Sequence, residues 1–290
     1  MWRPVDIAEF ALCRKKECAR AEIRCKITAV PYFKLKTLGA IILERTDRWI
    51  ENNKAYRVKV LEALECDENG IAFPHWILGA FSEITGDIFV AEGRDYAWFA
   101  SRGQVWFLVR MSMRVRRLPH ALEKVVLSYW YRDTDGKSMF NDYELRTPEG
   151  ELLVSATSVH RPYDINACRT FPVNKIAGGT AAKNSDRADA PACRRIMPPE
   201  KLTPLGERTI VYTDIDHNHH VNNAIYSRIA EDFLPDTYRG RELFEYYINF
   251  IAATQRGDVL VIAGAETPRG YILTGEGDGQ KRFSSEFVFR

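Results

Sequence analysis

The chain of 290 residues repeats one order of elements, in which a strand leads through a polar loop to an apolar helix and then to antiparallel strands. In the first copy the sequence predicts a strand over 56–66 and a long helix over 74–91. In the second copy a strand over 208–213, a polar turn over 214–221 and a helix over 222–234 follow in the same order. A helix with so little polar surface has to be enclosed, so each copy predicts a buried helix wrapped by a sheet.

The remaining strands follow the helix of each copy. The segment over 104–117 alternates with a period of two, and residues such as Phe107 and Met111 are expected on its apolar face. Further strands are predicted over 122–132, 137–146 and 151–161 in the first copy, and over 243–251, 258–265, 271–275 and 283–289 in the second.

These elements predict an α+β fold of two tandem domains. A Gly-Gly pair and several prolines with little periodicity indicate a linker between the copies. The predicted division is an N-terminal extension of uncertain role over 1–53, an N-terminal domain over 54–169, a linker over 170–204 and a C-terminal domain over 205–290.

The polar loop of the second copy concentrates groups suited to catalysis. Asp216, Asn218 and His220 alternate, so in an extended segment their carboxylate, amide and imidazole point to one side. Asn222 and Asn223 follow as N-cap residues of the helix, whose N-terminus could stabilise an oxyanion. A polar turn that only caps a helix needs one such residue, so we favour a functional site.

The first copy keeps part of this loop. Asp67 and Asn69 fall where Asp216 and Asn218 fall in the second copy, but Ile71 replaces the histidine. The comparison predicts that only the second copy retains a general base and that the first copy has a structural or substrate-holding role.

Charge and cysteine content exclude several other functions. With 41 basic and 39 acidic residues the net charge is +2, which gives no overall signature of nucleic-acid or membrane binding.

The six cysteines form no Cys-x-x-Cys pair, which argues against a zinc site and against a dense disulfide framework. Adjacent histidines at 217, 219 and 220 point to different faces, so no metal site is predicted there. No apolar run has the length of a membrane span, and we expect a cytoplasmic protein.

The motif Asp-x-Asn-x-His-Val-Asn-Asn-x-x-Tyr, which runs from Asp216 to Tyr226, resembles that of the acyl-acyl carrier protein thioesterases of plants and bacteria. The resemblance extends over about 54–290 and includes Asn69-Gly70 and His160-Arg161-Pro162. It implies a tandem, or double, hot-dog fold, in which each half is a long buried helix wrapped by a curved antiparallel sheet.

The resemblance also implies an activity. The family hydrolyses fatty acyl-acyl carrier protein thioesters, which releases free fatty acid and terminates chain elongation in fatty acid biosynthesis. Asp216, Asn218 and His220 would form the catalytic group, with the attacking residue left open. No metal or organic cofactor is implied. The expected partner is acyl carrier protein with its phosphopantetheine-linked acyl chain, and a homodimer is left open.

One position departs from the family. A glutamate followed by a cysteine or small residue often faces the catalytic loop, and here Ala253 and Thr254 stand at those positions. Either Asp216 and His220 suffice, or Thr254 or Gln255 positions the water, or hydrolysis is weak. We favour the first interpretation, because an Asp or His can activate water without a second acid.

Several charged residues have two interpretations. Arg110, Arg114, Arg116 and Arg117 could contact the acidic carrier protein or simply protect an exposed strand edge. Glu231 matches an acidic position of the family but is expected at the solvated surface with a structural role.

Three other functions stay open on the sequence. An acyl-CoA thioesterase is the nearest, and a degenerate hot-dog protein that binds acyl chains or acyl carrier protein without cleaving them is the second. A dehydratase is less favoured, because the first-copy loop offers only Asp67 and Asn69 for proton abstraction. The preferred chain length is not encoded in any motif.

Overall fold

Both halves of the chain contribute to one antiparallel sheet of twelve strands, which wraps around two long helices. The structure is a computed structural model that describes residues 47–216 and 220–290. The predicted extension therefore lies mostly outside the described residues, as do His217, Asn218 and His219. Within those described ranges no helix is long and apolar enough to cross a bilayer.

Among the described residues, the first half contains seven strands and three helices, and the second half contains five strands and one helix. The strands are β1 Arg48–Glu51, β2 Lys54–Val60, β3 Gln104–Val115, β4 Lys124–Thr134, β5 Met139–Arg146, β6 Leu152–Asp164, β7 Arg169–Thr170, β8 Thr203–Thr209, β9 Leu243–Phe250, β10 Val259–Thr267, β11 Gly270–Gly277 and β12 Gln280–Phe289. The helices are α1 Pro74–Ile84, α2 Asp87–Ala91, α3 Tyr96–Ala100 and α4 Asn223–Asp232.

The strand order is β1-β2-β4-β5-β6-β3-β9-β12-β11-β10-β8, with β7 paired to β6. The two halves meet where β3 pairs antiparallel with β9, in a register that sets Met113 opposite Tyr246. Long central helices enclosed by a continuous antiparallel sheet are the predicted α+β, double hot-dog arrangement.

The two central helices pack directly against each other. Pro74 occupies the first turn of α1, where its missing N–H costs no helical hydrogen bond. Midway along α1, a Cβ added to Gly79 would lie 3.3 Å from the Cβ of Ala224 in α4. The absence of a side chain at Gly79 therefore sets the close approach of the helices.

Three predicted elements end at least four residues earlier than the sequence suggests. The strand over 208–213 stops at Thr209. The strand over 56–66 stops at Val60. The helix over 74–91 stops at Ile84, because the Thr85 hydroxyl bonds back to the Phe81 carbonyl at 2.8 Å and the chain restarts as α2. This break brings Asp87 to the guanidinium of Arg57, with oxygen–nitrogen distances of 2.5 and 2.6 Å.

The predicted alternation along β3 is wrong at its N-terminal end. A register shift between Leu108 and Arg110 inserts one extra residue, which moves the following side chains to the other face. Phe107, expected on the apolar face, is 40% exposed and stacks on Tyr163 at a centroid distance of 4.3 Å. Met111, beyond the bulge, is buried as predicted.

The segment between the halves is fixed along the sheet face that points away from the helices. The Trp130 indole donates to the carbonyl of Asp186 at 2.8 Å, and the Ile196 N–H donates to the Asn249 side chain at 2.8 Å. Ile196 also packs with Tyr247 in an apolar cluster separate from the main core. The segment thus connects the two halves along the outer face.

Candidate active site

The polar turn of the second half is closed by backbone contacts between its described ends. The Asp216 N–H donates to the His220 carbonyl at 3.0 Å, and Ile215 and Val221 form an antiparallel bridge. Asp216 and His220 are both half-buried. The turn brings the backbones of these two predicted catalytic residues together, while Asn218 lies outside the described residues.

A neighbouring carboxylate anchors the turn. Asp214 is 3% exposed and accepts two hydrogen bonds from Arg208, at 2.9 and 3.0 Å. Its second partner is the Val211 N–H at 2.8 Å. Asp214 therefore acts as a structural anchor, with its oxygens committed to the protein.

Helix α4 begins immediately after the turn. The Asn222 side-chain oxygen accepts from the Ala224 N–H at 2.9 Å, and the Asn222 N–H donates to the Asp214 carbonyl at 3.0 Å. Asn222 is thus the N-cap, as predicted, and Asn223 is the first helical residue. The positive end of the helix dipole lies beside His220, where a developing oxyanion would be stabilised.

The first half repeats this geometry without the base. The Asp67 N–H donates to the Ile71 carbonyl at 2.8 Å, which matches the bond from Asp216 to His220. The Asp67 side chain accepts from the N–H groups of Asn69 and Ile71, each at 2.9 Å. The predicted equivalence of the two loops is confirmed, with Ile71 at the position of His220.

The loop between β9 and β10 faces the turn and contains the two candidate water-positioning residues. Thr254 is fully buried, and its carbonyl accepts from the Val221 N–H at 3.1 Å. Burial raises the pKa of the Tyr226 phenol, and the neighbouring Thr254 side chain opposes that shift. Gln255 is exposed, and Ala253 offers only a methyl group. A role of Thr254 or Gln255 in placing water stays a prediction.

One residue near the candidate site could not be predicted from the sequence, because no motif or pattern marks it. Tyr96 begins α3 in the first half, and Asp95 caps that helix by accepting from the Trp98 N–H at 2.8 Å. Burial and then the negative charge of Asp216 raise the pKa of the Tyr96 phenol. The first half therefore contributes a side chain to the surroundings of the candidate catalytic turn.

Three of the four predicted carrier-contact arginines are engaged with carboxylates. Arg110 lies on β3 opposite Asn249 of β9. The ion pairs are Arg114 with Asp189 at 2.8 Å and Glu245 at 3.0 Å, Arg116 with Asp189 at 2.8 Å, and Arg117 with Glu123 at 2.7 Å and Glu151 at 3.1 Å. These pairs give Arg114, Arg116 and Arg117 a structural role, and contact with a carrier protein stays a prediction.

Glu231 is not at the solvated surface, contrary to the expectation. One of its oxygens lies 2.8 Å from Nδ1 of His75 in α1, and its side chain is only 12% exposed. The other oxygen accepts from the Ser227 hydroxyl at 3.1 Å. Burial raises the pKa of Glu231, and His75 opposes that shift. The pair ties the end of α4 to the start of α1.

A cavity of about 540 Å³ runs along α1 and reaches the first turn of α4. Trp76, Gly79 and Ala80 of α1 line its middle, and Ala224 of α4 lies at the helix crossing. The cavity therefore adjoins the helix that begins at the candidate active site.

No group of three metal-ligating side chains occurs within 47–216 or 220–290.

The cysteines at 66, 168 and 193 are free thiols, and burial raises the pKa of Cys193 to about 11. A thiol so weakly acidic is a poor nucleophile.

Comparison with known proteins supports the predicted fold. Residues 205–286 match the sequence model of the acyl-ACP thioesterase C-terminal domain. The crystal structure of an acyl-ACP thioesterase from Bacteroides thetaiotaomicron is similar with a TM-score of 0.75 and 19% identity, over 85% of this chain and 100% of that one. The 12:0-ACP thioesterase from Umbellularia californica is similar with a TM-score of 0.70 and 16% identity, over 83% and 99%. At these identities the structural likeness establishes the fold. No curated protein sequence matches the chain.

Proposed function

We propose that the chain hydrolyses the thioester of a fatty acyl group held on acyl carrier protein, because its residues 205–286 match the acyl-ACP thioesterase C-terminal domain. The match over 205–286 and the fold shared with acyl-ACP thioesterases support this proposal. Release of the free fatty acid would terminate chain elongation in fatty acid biosynthesis.

The observation that supports this proposal best is the turn that joins Asp216 to His220 at the start of α4. His220 takes a proton from water, whose oxygen attacks the thioester carbon. The N-terminus of α4 stabilises the oxyanion, and the carbon–sulfur bond then breaks. The proton returns to the leaving thiolate. Asp216 either orients the base or attacks first as a nucleophile, and Asn218 keeps its predicted orienting role.

The proposal is tested by incubating the purified protein with acyl carrier protein loaded with acyl groups of several lengths and measuring fatty acid release. We expect release from at least one of them. Matched acyl-CoA substrates separate the two carriers, because equal rates on both would favour an acyl-CoA thioesterase. No release from any substrate would overturn the proposed hydrolysis.

Ala253 favours one alternative. Without an acid at this position the protein could bind an acyl chain or its carrier without cleaving it. Binding of acyl carrier protein that persists in His220→Ala, together with no turnover by the unaltered protein, would support that alternative.

A further inference from the structure

The cavity along α1 has two polar ends, and Ala224 in the first turn of α4 lines its wall. Ala224 lies against Gly79, one turn from His75. At the helical rise this turn corresponds to about 6 Å. An acyl group whose thioester carbon is held at the N-terminus of α4 can therefore extend along α1 toward His75.

Charged and hydrogen-bonding groups surround that end of the cavity. Lys59 of β2 pairs with Glu65, and both line the cavity next to His75. His75 is itself held by Glu231, so one ring nitrogen is fixed and the ring orientation with it. Toward the opposite end Arg57 pairs with Glu83, at 3.3 Å.

This lining differs from what a plain alkyl chain requires. A methyl terminus placed against Lys59, Glu65 and His75 would displace water from charged groups and return no hydrogen bond. A terminal hydroxyl could both donate and accept there, and hydrogen bonds to charged groups are stronger than neutral ones.

We propose that this cavity receives the acyl group and that its Lys59–Glu65–His75 end selects acyl groups with a polar terminus over those ending in a methyl group. The inference rests on the proposed function, since it assigns the substrate class of the same site. An ω-hydroxyacyl group is the simplest member of that class.

The experiment uses acyl pantetheine thioesters, which remove any effect of the carrier protein. Hexanoyl, octanoyl and decanoyl thioesters are compared with their ω-hydroxy counterparts. We expect kcat/KM to be about tenfold higher for the ω-hydroxy member of at least one pair. Equal rates, or faster hydrolysis of the methyl-terminated member at every length, would overturn the inference.

A double variant tests whether the cavity causes the preference for the ω-hydroxy substrate. Lys59→Leu with Glu65→Gln removes both charges, and Gln keeps an acceptor for the Glu62 N–H that Glu65 binds at 2.7 Å. We expect the preference for the ω-hydroxy substrate to fall about tenfold. The matched control is Lys183→Leu with Asp133→Asn, a 3.0 Å ion pair outside the cavity, which should leave the preference unchanged. A preference that survives the cavity variant contradicts the assignment.

Binding of non-hydrolysable thioether analogues separates the two proposals. If no thioester is cleaved but the ω-hydroxy analogue binds about tenfold more tightly, the proposed hydrolysis fails and the cavity assignment stands. If the thioesters are cleaved without any preference between the members of a pair, the proposed hydrolysis stands and the cavity assignment fails. Analogues that bind equally, with or without turnover, overturn the selectivity.

Discussion

Asp214 and Asp216 lie two residues apart and have different environments. Asp214 is buried, with two hydrogen bonds from Arg208, whereas Asp216 is half-buried at the end of the turn that contains His220. Alternation in the sequence predicts that Asp216 and His220 point to one side of the loop, and this stays a prediction. It could not predict Tyr96, because that residue comes from the other half and approaches only in the tertiary structure.

Replacement of His220 by alanine is expected to lower kcat by roughly 10²–10⁴-fold, since a general base contributes about that factor. The thermal unfolding midpoint should stay close to that of the unaltered protein, because His220 is only half-buried in a surface turn. His120 is exposed and bridges Ile71 in the first-half loop, so His120→Ala is the control. Equal activity of both variants would exclude His220 as the base.

His160 predicts a pH dependence of stability. Burial lowers the pKa of His160 from 6.5 to about 4, and its Nδ1 accepts from the Asn141 side-chain amide at 2.9 Å. The unfolded chain binds a proton near pH 6.5 while the folded protein does not, so stability is lost as the pH falls from about 6.5 toward 4. The loss is on the order of 3 kcal/mol at most.

Urea unfolding at pH 7 and pH 4.5 measures this effect. The fall in the free energy of unfolding should be smaller in His160→Gln than in the unaltered protein. The matched variant His120→Gln alters an exposed histidine and should leave the pH dependence as it was. If His160→Gln showed the same pH dependence as the unaltered protein, His160 would not be the group responsible.

At the level of elements, local patterns predicted the type of each segment better than its ends. The helix over 74–91 was identified, but its break at Thr85 depends on a hydroxyl bond to Phe81 and on the contact of Asp87 with Arg57. The strand over 104–117 was also identified. Its bulge beyond Leu108 depends on the register against β6, which no local pattern encodes.

The crossing of α1 and α4 tests the role of a small residue. Gly79→Val adds bulk where even a Cβ lies 3.3 Å from Ala224, so we expect a loss of about 1–3 kcal/mol in the free energy of unfolding. Hydrolysis should fall as well, because the first turn of α4 would be displaced.

Gly86→Ala is the control for that substitution. Its added Cβ would have no neighbour closer than 3.9 Å and the backbone is right-handed, so stability should stay equal or rise by about 0.4–1 kcal/mol. Urea unfolding compares the two variants. Equal stability of Gly79→Val and the unaltered protein would show that the helices separate freely at this crossing.

At the level of the whole molecule, the sequence predicted the tandem order of elements but not the strand pairing that connects the two halves. Repeated elements predicted two similar halves, and the β3–β9 pairing that unites their sheets depends on residues far apart in the chain. The sequence also did not predict that the linker runs along the outer face of the sheet. Its anchors, such as Trp130 with Asp186 and Asn249 with Ile196, connect distant parts of the sequence.

Residues 205–290 alone are expected not to fold into a stable monomer. Without the first half, β9 would present an unpaired edge and α4 would lose its packing against α1. Size-exclusion chromatography and circular dichroism of this fragment should show aggregation or loss of structure, with the chain from residue 47 onward as the control. A monomeric, cooperatively unfolding fragment would show that the C-terminal domain is independent.

The β3–β9 join also orders events during synthesis. Met113 pairs with Tyr246, and the two are separated by 133 positions, since 246 less 113 is 133. The ribosome synthesises the whole first half and the linker before β9. The edge of β3 that pairs with β9 therefore stays unpaired during that interval. At about 5–20 residues per second the wait lasts roughly 7 to 27 seconds. The nascent chain is therefore most prone to aggregation before β9 emerges.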